Sequence, residues 1–402
     1  MNSVIIHYHE IALKGRNRPQ FINQLVRNIK NVTFDLDVPD VRVLPGRVEL
    51  ILGTGTSWDA VRLRIERVFG IANFSHATRA DPDIESLART IDAALGERQV
   101  SSFRVSARRS DKRFPLTSQQ IEQEIGGRIN DTRGWRVNLS QPELTIHIEM
   151  LSGEAFFFFD KIPGPGGLPV GVSGQVACLV SGGIDAPVAA YRIMKRGCSA
   201  QLIHFHGYPI LSHTSIEKAR QLAEALLPYQ PHLWLHLVPF GEIQQQIMSL
   251  APSRFRVLIY RRLMMLIADR VAHKLGALAL ITGDAVGQVA SQTLKNLAVL
   301  EAAASLPVLR PLIAMDKDEI TAEAIRIGTY PISIIPDQEL LPGFTPRDPA
   351  TAAGLREVEE AEKRLPWTEM VTAAVAGASV EEFRFRGVDD RVQEAPPTPS
   401  DA

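Results

Sequence analysis

Cysteine is nearly absent: Cys178 and Cys198 are the only two in 402 residues. That excludes a disulfide framework, a cysteine-rich zinc site and an iron–sulfur cluster held by three or four thiolates. No uninterrupted apolar run approaches the roughly 18–20 residues that span a bilayer. The start "MNSVIIHYHEIALKGRNR" lacks the basic-then-apolar order of a secretory signal. A cytoplasmic chain with no membrane partner is therefore expected. An excess of one charge is missing too: 44 Lys and Arg against 45 Asp and Glu leave a net charge of −1, so bulk electrostatics points to no polyanion.

With 45% hydrophobic and 22% charged residues, the chain suits a globular protein of two or three domains. Charge is uneven locally. "KGRNRPQFINQLVRNIK" (14–30) is acid-free and holds Lys14, Arg16 and Arg18 near its start. "SSFRVSARRSDKRFPLTS" (101–118) sets Arg104, Arg108, Arg109, Lys112 and Arg113 against Asp111 alone. Either run alone also fits a solvated surface; two within the first 120 residues point toward a nucleic-acid partner.

Periodicity organises the chain. "SVIIHYHEIAL" (3–13) predicts a strand, 17–32 a helix, and "DVRVLPGRVELIL" (40–52) a hairpin around Pro45-Gly46. A helix is predicted over 57–70, capped by Ser57 and stopped at Gly70. Between 81 and 160 come helix, strand, helix and two strands. From 176 onward apolar strands alternate with amphipathic helices, the rhythm of βαβ units in a doubly wound parallel sheet. The expected division is 1–58, 59–165, a Pro- and Gly-rich linker at 166–175, a parallel-sheet domain at 176–390 and a disordered tail at 391–402.

"LVSGGIDAPVAAY" places Ser181, Gly182 and Gly183 between a strand and a helix, where ligands sit in such sheets. Glycine allows close backbone approach, successive N–H groups form an anion nest, and the helix N-terminus adds partial positive charge. The implied catch is pyrophosphate from a nucleotide cleaved at its α-phosphate. The short pattern alone also fits a structural turn, but "TGDAVGQVASQTLKNL" (282–297), at the end of a later strand, adds glycines for backbone approach and Asp284, Gln288, Ser291 and Gln292 facing the same cleft. Asp185 suits orientation of Mg²⁺ or its water, or simple helix capping.

At these residues the sequence resembles the PP-loop ATP pyrophosphatases. With "HYHEIALKGRNRPQF", "RVSARRSDKRFPLTSQQIEQEIGGRI", "HLVPF", "PVLRPLIAMDKDEI" and "FTPRDPAT", it resembles the tRNA 4-thiouridine sulfurtransferase (ThiI) family in its short form without a rhodanese domain. The resemblance implies an α/β protein: N-terminal ferredoxin-like and THUMP α+β domains, then the ATP pyrophosphatase domain (adenine nucleotide alpha hydrolase-like). It implies ATP with Mg²⁺, tRNA as partner with both basic runs on its phosphates, and a possible homodimer. Carried across, Leu179, Val180, Ser181, Gly182, Gly183 and Asp185 line the nucleotide, Ser181 and Asp185 in catalytic positions. His204, Phe205, Arg261, Gly283 and Gln292 complete the ATP-contacting set. His204 also fits a satisfied strand histidine, whereas Arg261 inside an apolar helix needs an anionic partner.

The implied chemistry is adenylation of uracil O4, at uridine 8 of the tRNA, followed by displacement of AMP by sulfur. The family's sulfur-carrying cysteine is missing, because Leu340 and Leu341 stand where it belongs. Cys198 begins its strand, at the end opposite the active loops, and Cys178 sits inside an apolar strand as a small core residue. Sulfur is therefore expected from sulfide or from an external donor such as a cysteine desulfurase or carrier protein. Ala186 stands where the turn usually has serine, and Asp284 where glutamate is common. Two other readings remain open: ATP-dependent base modification with another nucleophile, and a catalytically weakened tRNA-binding protein. The thiamine role of some family members belongs to the rhodanese domain and is not expected here.

Overall fold

The computed structural model describes residues 2–336 and 350–385. It divides between Leu168 and Pro169 into two compact units. The expected tail at 391–402 and the Leu340-Leu341 position lie outside the described residues.

The first unit runs β1 (Asn2–His7), α1 (Arg18–Thr33), β2 (Asp40–Leu44), β3 (Arg47–Ile51), α2 (Trp58–Ile65), β4 (Asn73–Ala80), α3 (Ile84–Leu95), β5 (Ser102–Arg109), α4 (Ser118–Arg133), β6 (Arg136–Val137), β7 (Leu144–Leu151), β8 (Glu154–Phe158) and β9 (Ile162–Pro163). Its strands form one sheet in the order β2-β3-β1-β4-β8-β7-β5-β6, with β9 paired to β4. Leu87, Ile91 and Leu95 of α3, and Ile121, Ile125 and Ile129 of α4, recur at helical spacing. They pack on Phe103, Val105 and Ala107 of β5 and on Ile146, Ile148 and Met150 of β7, which recur at period two. Asp83 caps α3 by accepting from the Ser86 N–H, and Thr117 and Gln120 form a capping box on α4.

Two predicted elements are shorter in the structure. The strand read over 3–13 ends at His7, because Glu10–Leu13 wind into a 3₁₀ turn. The helix read over 57–70 is capped by Ser57 as expected, but it stops at Ile65. There the bonds tighten to i→i+3 (Arg67 N–H to Arg64 O, Val68 N–H to Ile65 O), and the Gly70 N–H donates to Gly166 O at 2.8 Å.

Buried charge ties neighbouring strands and also strands that do not adjoin in the sheet order. Arg42 on β2 bridges Glu49 on β3 (3.1 Å) and Glu154 on β8 (2.8 Å), and Arg79 on β4 also reaches Glu154 (2.7 Å). Glu149 on β7 takes His7 Nε2 at 2.9 Å and Arg47 from β3. Burial alone would raise the Glu149 pKa, but His7 and Arg47 outweigh it and hold the carboxyl below its usual range.

The second unit runs β10 (Gln175–Leu179), α5 (Asp185–Met194), β11 (Ser199–His206), α6 (Thr214–Leu226), β12 (His232–Pro239), α7 (Gly241–Leu250), α8 (Arg256–Lys274), β13 (Leu280–Ile281), α9 (Leu294–Glu301), β14 (Val308–Leu309), α10 (Lys317–Ile327), α11 (Tyr330–Ser333), α12 (Leu355–Glu362), α13 (Trp367–Ala376) and β15 (Ser379–Arg384). The sheet order is β14-β13-β10-β11-β12-β15. All pairs are parallel except β12 with β15, which is antiparallel. The sequence reading named no helix at α7 and no element beyond β13, this last strand included. Among the described residues no helix is long and apolar enough to cross a membrane.

Removing one member of a buried ion cluster strands its partner. Glu149→Leu is expected to destabilise the first unit by about 3–5 kcal/mol in urea denaturation. Because the Glu149 pKa is depressed on folding, its contribution is complete above the ordinary glutamate value of 4.5. It is lost as the pH falls below that value, so the gap between wild type and variant should narrow in acid.

Candidate functional site

The connection from β10 to α5 is short, and no side chain caps the helix that follows, whose N-cap position is Ile184. Its first-turn amides therefore face the loop without a side-chain acceptor, as an anion site requires. Within the loop the Gly183 N–H donates to Ser181 Oγ at 3.3 Å, and the Gly183 carbonyl accepts from Ser333 Oγ at 3.3 Å. Gly283, just past β13, leans on this helix start. A Cβ there would lie 2.9 Å from Ala186 N and 2.9 Å from the Asp185 carbonyl carbon. Glycine at 283 is thus required by packing between two backbones, a different reason from ligand approach.

A cavity of about 290 Å³ opens at these strand ends. Leu179, Val180, Ser181, Gly182 and Asp185 line it from the turn; His204, Phe205, Arg261, Gly283 and Gln292 line it from the other elements, and Gly183 does not line it. Phe205, Met264, Met265 and Val289 give it an apolar part. His204 Nδ1 lies 2.9 Å from Val180 O, fixing the ring across β10 and β11.

The anionic partner of Arg261 is Asp284, whose Oδ1 lies 2.5 Å from Nη2; Ser291 Oγ accepts from Nη1 at 3.0 Å. Asp284 also accepts from Thr282 Oγ1 at 2.8 Å and from Gln292 Nε2 at 3.0 Å. Burial opposes its charge, but Arg261 and these donors hold the carboxyl below the usual range. Asp185 lies at the mouth rather than capping the helix: Oδ1 is 2.7 Å from Lys317 Nζ, and Oδ2 accepts from Gln288 Nε2 at 2.8 Å. The sequence reading gave no role to Lys317, the first residue of α10, because nothing local ties it to a turn 132 positions away.

The basic residues of the first unit are committed to different degrees. Arg109 donates to the carbonyls of Phe114 (2.8 Å) and Leu116 (3.0 Å), holding the loop after β5. Arg113 chelates Asp111 at 2.9 and 3.0 Å. Arg104 bonds Thr145 Oγ1 (3.1 Å), Lys14 sits over the Phe21 ring, and Arg18 donates to Ala12 O. Arg16, Arg108 and Lys112 are exposed. Arg108, Arg104 and Lys161 surround His147, whose pKa is lowered to about 4 by burial first and then by these cations.

Both thiols are buried, and burial raises the pKa of each; for Cys198, Arg196 opposes the rise. Neither is a ready thiolate. Among the described residues no three His, Cys, Asp or Glu side chains converge as a metal site.

Comparison with known proteins places the chain in a family. Family models match residues 3–75 (ThiI ferredoxin-like domain), 79–160 (THUMP domain) and 171–366 (thiamine biosynthesis protein, ThiI). A probable tRNA sulfurtransferase of Thermus thermophilus is 45% identical over 94% of this chain and 93% of its own length. The chain belongs to the ThiI family. A second ThiI-family relative, a probable tRNA sulfurtransferase of Moorella thermoacetica, is 42% identical over 94% of this chain and 97% of its own. A crystal structure of a 4-thiouridine synthetase–RNA complex with bound ATP superposes with a TM-score of 0.87 at 32% identity, covering 96% of this chain and all of that one. The fold is therefore a ferredoxin-like and THUMP pair followed by a PP-loop domain, as expected.

Gly283→Ala tests the contact beneath the ThiI cavity. The added methyl meets backbone that cannot swing aside, so urea denaturation should show a loss of about 1–3 kcal/mol. Unchanged unfolding would contradict the packing described.

Proposed function

We propose that this chain is an ATP-dependent tRNA sulfurtransferase that converts a uridine, at position 8, to 4-thiouridine without a cysteine relay of its own. The observation that carries the reading is one cavity joining an uncapped helix start and Ser-Gly turn to an apolar part walled by Phe205, Met264 and Met265. That pairing suits a phosphate chain and a purine together, and it is supported by kinship with tRNA sulfurtransferases.

In this reading the turn amides and Lys317 hold the polyphosphate, and Arg261 stabilises charge near the nucleoside. Asp185, the carboxylate that opens α5 beside the turn, would hold a magnesium ion, which binds through one or two carboxylates plus substrate phosphates, and the ion would supply neutralisation of phosphate charge. Uracil O4 attacks the α-phosphorus, the O4–P bond forms and the bond to pyrophosphate breaks. The N3 proton is lost as C4–O4 becomes the adenylate. Hydrosulfide then adds at C4 and AMP leaves with O4; tautomerisation of the C4–SH product restores the proton to N3. Uracil oxygen is a poor leaving group until adenylated, so the chain's contribution is positioning and charge stabilisation. The first-unit cations, Arg16, Arg108 and Lys112 among them, would meet tRNA phosphates.

Unmodified tRNA incubated with the protein, Mg-ATP and sodium sulfide should yield thiouridine by nucleoside mass spectrometry, and only when ATP is present. Pyrophosphate release without thiouridine would point to a sulfur donor protein or to another nucleophile; neither product would leave the RNA-binding reading. The Cys178→Ala, Cys198→Ser double variant should thiolate within about two-fold of wild type in the same assay, because neither buried thiol is a thiolate at neutral pH.

A further inference from the structure

We propose that Asn296 is a positioning residue that couples the cavity to residues 350–353. It ties the turn carrying Ser291 and Gln292 to that segment, so a nucleotide that steadies the turn steadies the segment with it. The inference rests on the nucleotide reading above and adds to it a response outside the cavity.

Asn296 lies on α9 and is fully buried. A carbonyl oxygen only accepts, so the two carbonyls beside its amide nitrogen decide which way the side chain faces. Nδ2 donates to Ala290 O at 2.8 Å and to Ala350 O at 2.8 Å, and Oδ1 accepts from the Ala353 N–H at 3.1 Å. Ala290 opens the 3₁₀ turn Ala290–Gln292, whose Ser291 and Gln292 line the cavity. Residues 350–353 do not line it. A second bond runs alongside: Thr293, which caps α9, donates from Oγ1 to Thr351 O at 2.7 Å. Thr351 and Ala352 are themselves exposed, so the segment owes its place to these bonds and to the Ala350 N–H, which donates to Arg254 O at 3.1 Å. One buried amide thus spends every group it has on main chain of the turn and of the segment. Ordering either leaves less conformational freedom for the other to lose, and that is the coupling.

The test is hydrogen exchange read by mass spectrometry on the full chain. It is run with and without the magnesium complex of an ATP analogue carrying methylene between the α- and β-phosphorus, with binding followed by calorimetry. In wild type the nucleotide should slow exchange over 350–354 by about three-fold or more beyond its effect on α13, the control for general stabilisation by a bound ligand. Asn296→Leu keeps the shape and removes the donors. It should bind the analogue about 3- to 10-fold more weakly and lose the excess slowing at 350–354, which a residue with only a structural role would not control. If Asn296→Leu does not fold, Asn296→Ser takes its place. Wild type that binds the analogue with no excess slowing at 350–354 would overturn the inference alone, as would a variant that keeps the slowing. A folded variant that no longer binds at all would make Asn296 part of the cavity wall and overturn it too. Wild type that fails to bind the analogue would overturn the nucleotide reading and this inference with it.

Discussion

A carboxylate can be buried only where cations and donors surround it, and this constraint organises both units. In the first, Glu149 and Glu154 draw Arg47 and Arg42 from strands that do not adjoin theirs in the sheet order, so the sheet is held from edge to centre by charge as well as by its ladder. In the second, Asp284 gathers Arg261, Thr282 and Gln292. These contacts fix Arg261, Thr282 and Gln292 at the cavity wall.

The parts of the site that sequence reveals are local ones. Ser181-Gly182-Gly183 announces itself because strand, turn and helix are adjacent, and Arg261 because a charge in an apolar helix must be answered. Who answers was hidden: Asp284 is 23 positions from Arg261, and Asp185 finds Gln288 103 positions away. Lys317 carries no signal beyond its place at a helix start. Gly283 was read as a site of ligand approach, whereas the contact that demands glycine is with the backbone of Asp185 and Ala186.

The fold was legible to a similar degree. Apolar strands of the parallel sheet and the capped helices α3 and α4 followed their periodicities. β15 escaped because Ser379–Arg384 is an edge strand rich in charge, with no apolar alternation to mark it. The 3–13 strand was overrun because its alternation continues into a 3₁₀ turn that buries Ile11 by other means. The basic run at 101–118 shows the limit of composition: Arg109 and Arg113 hold loop carbonyls and Asp111, while Arg108 and Lys112 stay exposed.

Two cysteines, both buried and both poor thiolates, are the reason the proposed reaction draws its sulfur from outside the chain. The account's central claim is therefore the activation itself, attack of the base oxygen on the α-phosphorus of a nucleotide held at the turn. It is tested most directly with tRNA carrying ¹⁸O at uracil O4, turned over with Mg-ATP and sulfide, by mass spectrometry of the AMP released. The account predicts one ¹⁸O in that AMP for each thiouridine formed; thiouridine accompanied by unlabelled AMP would contradict it.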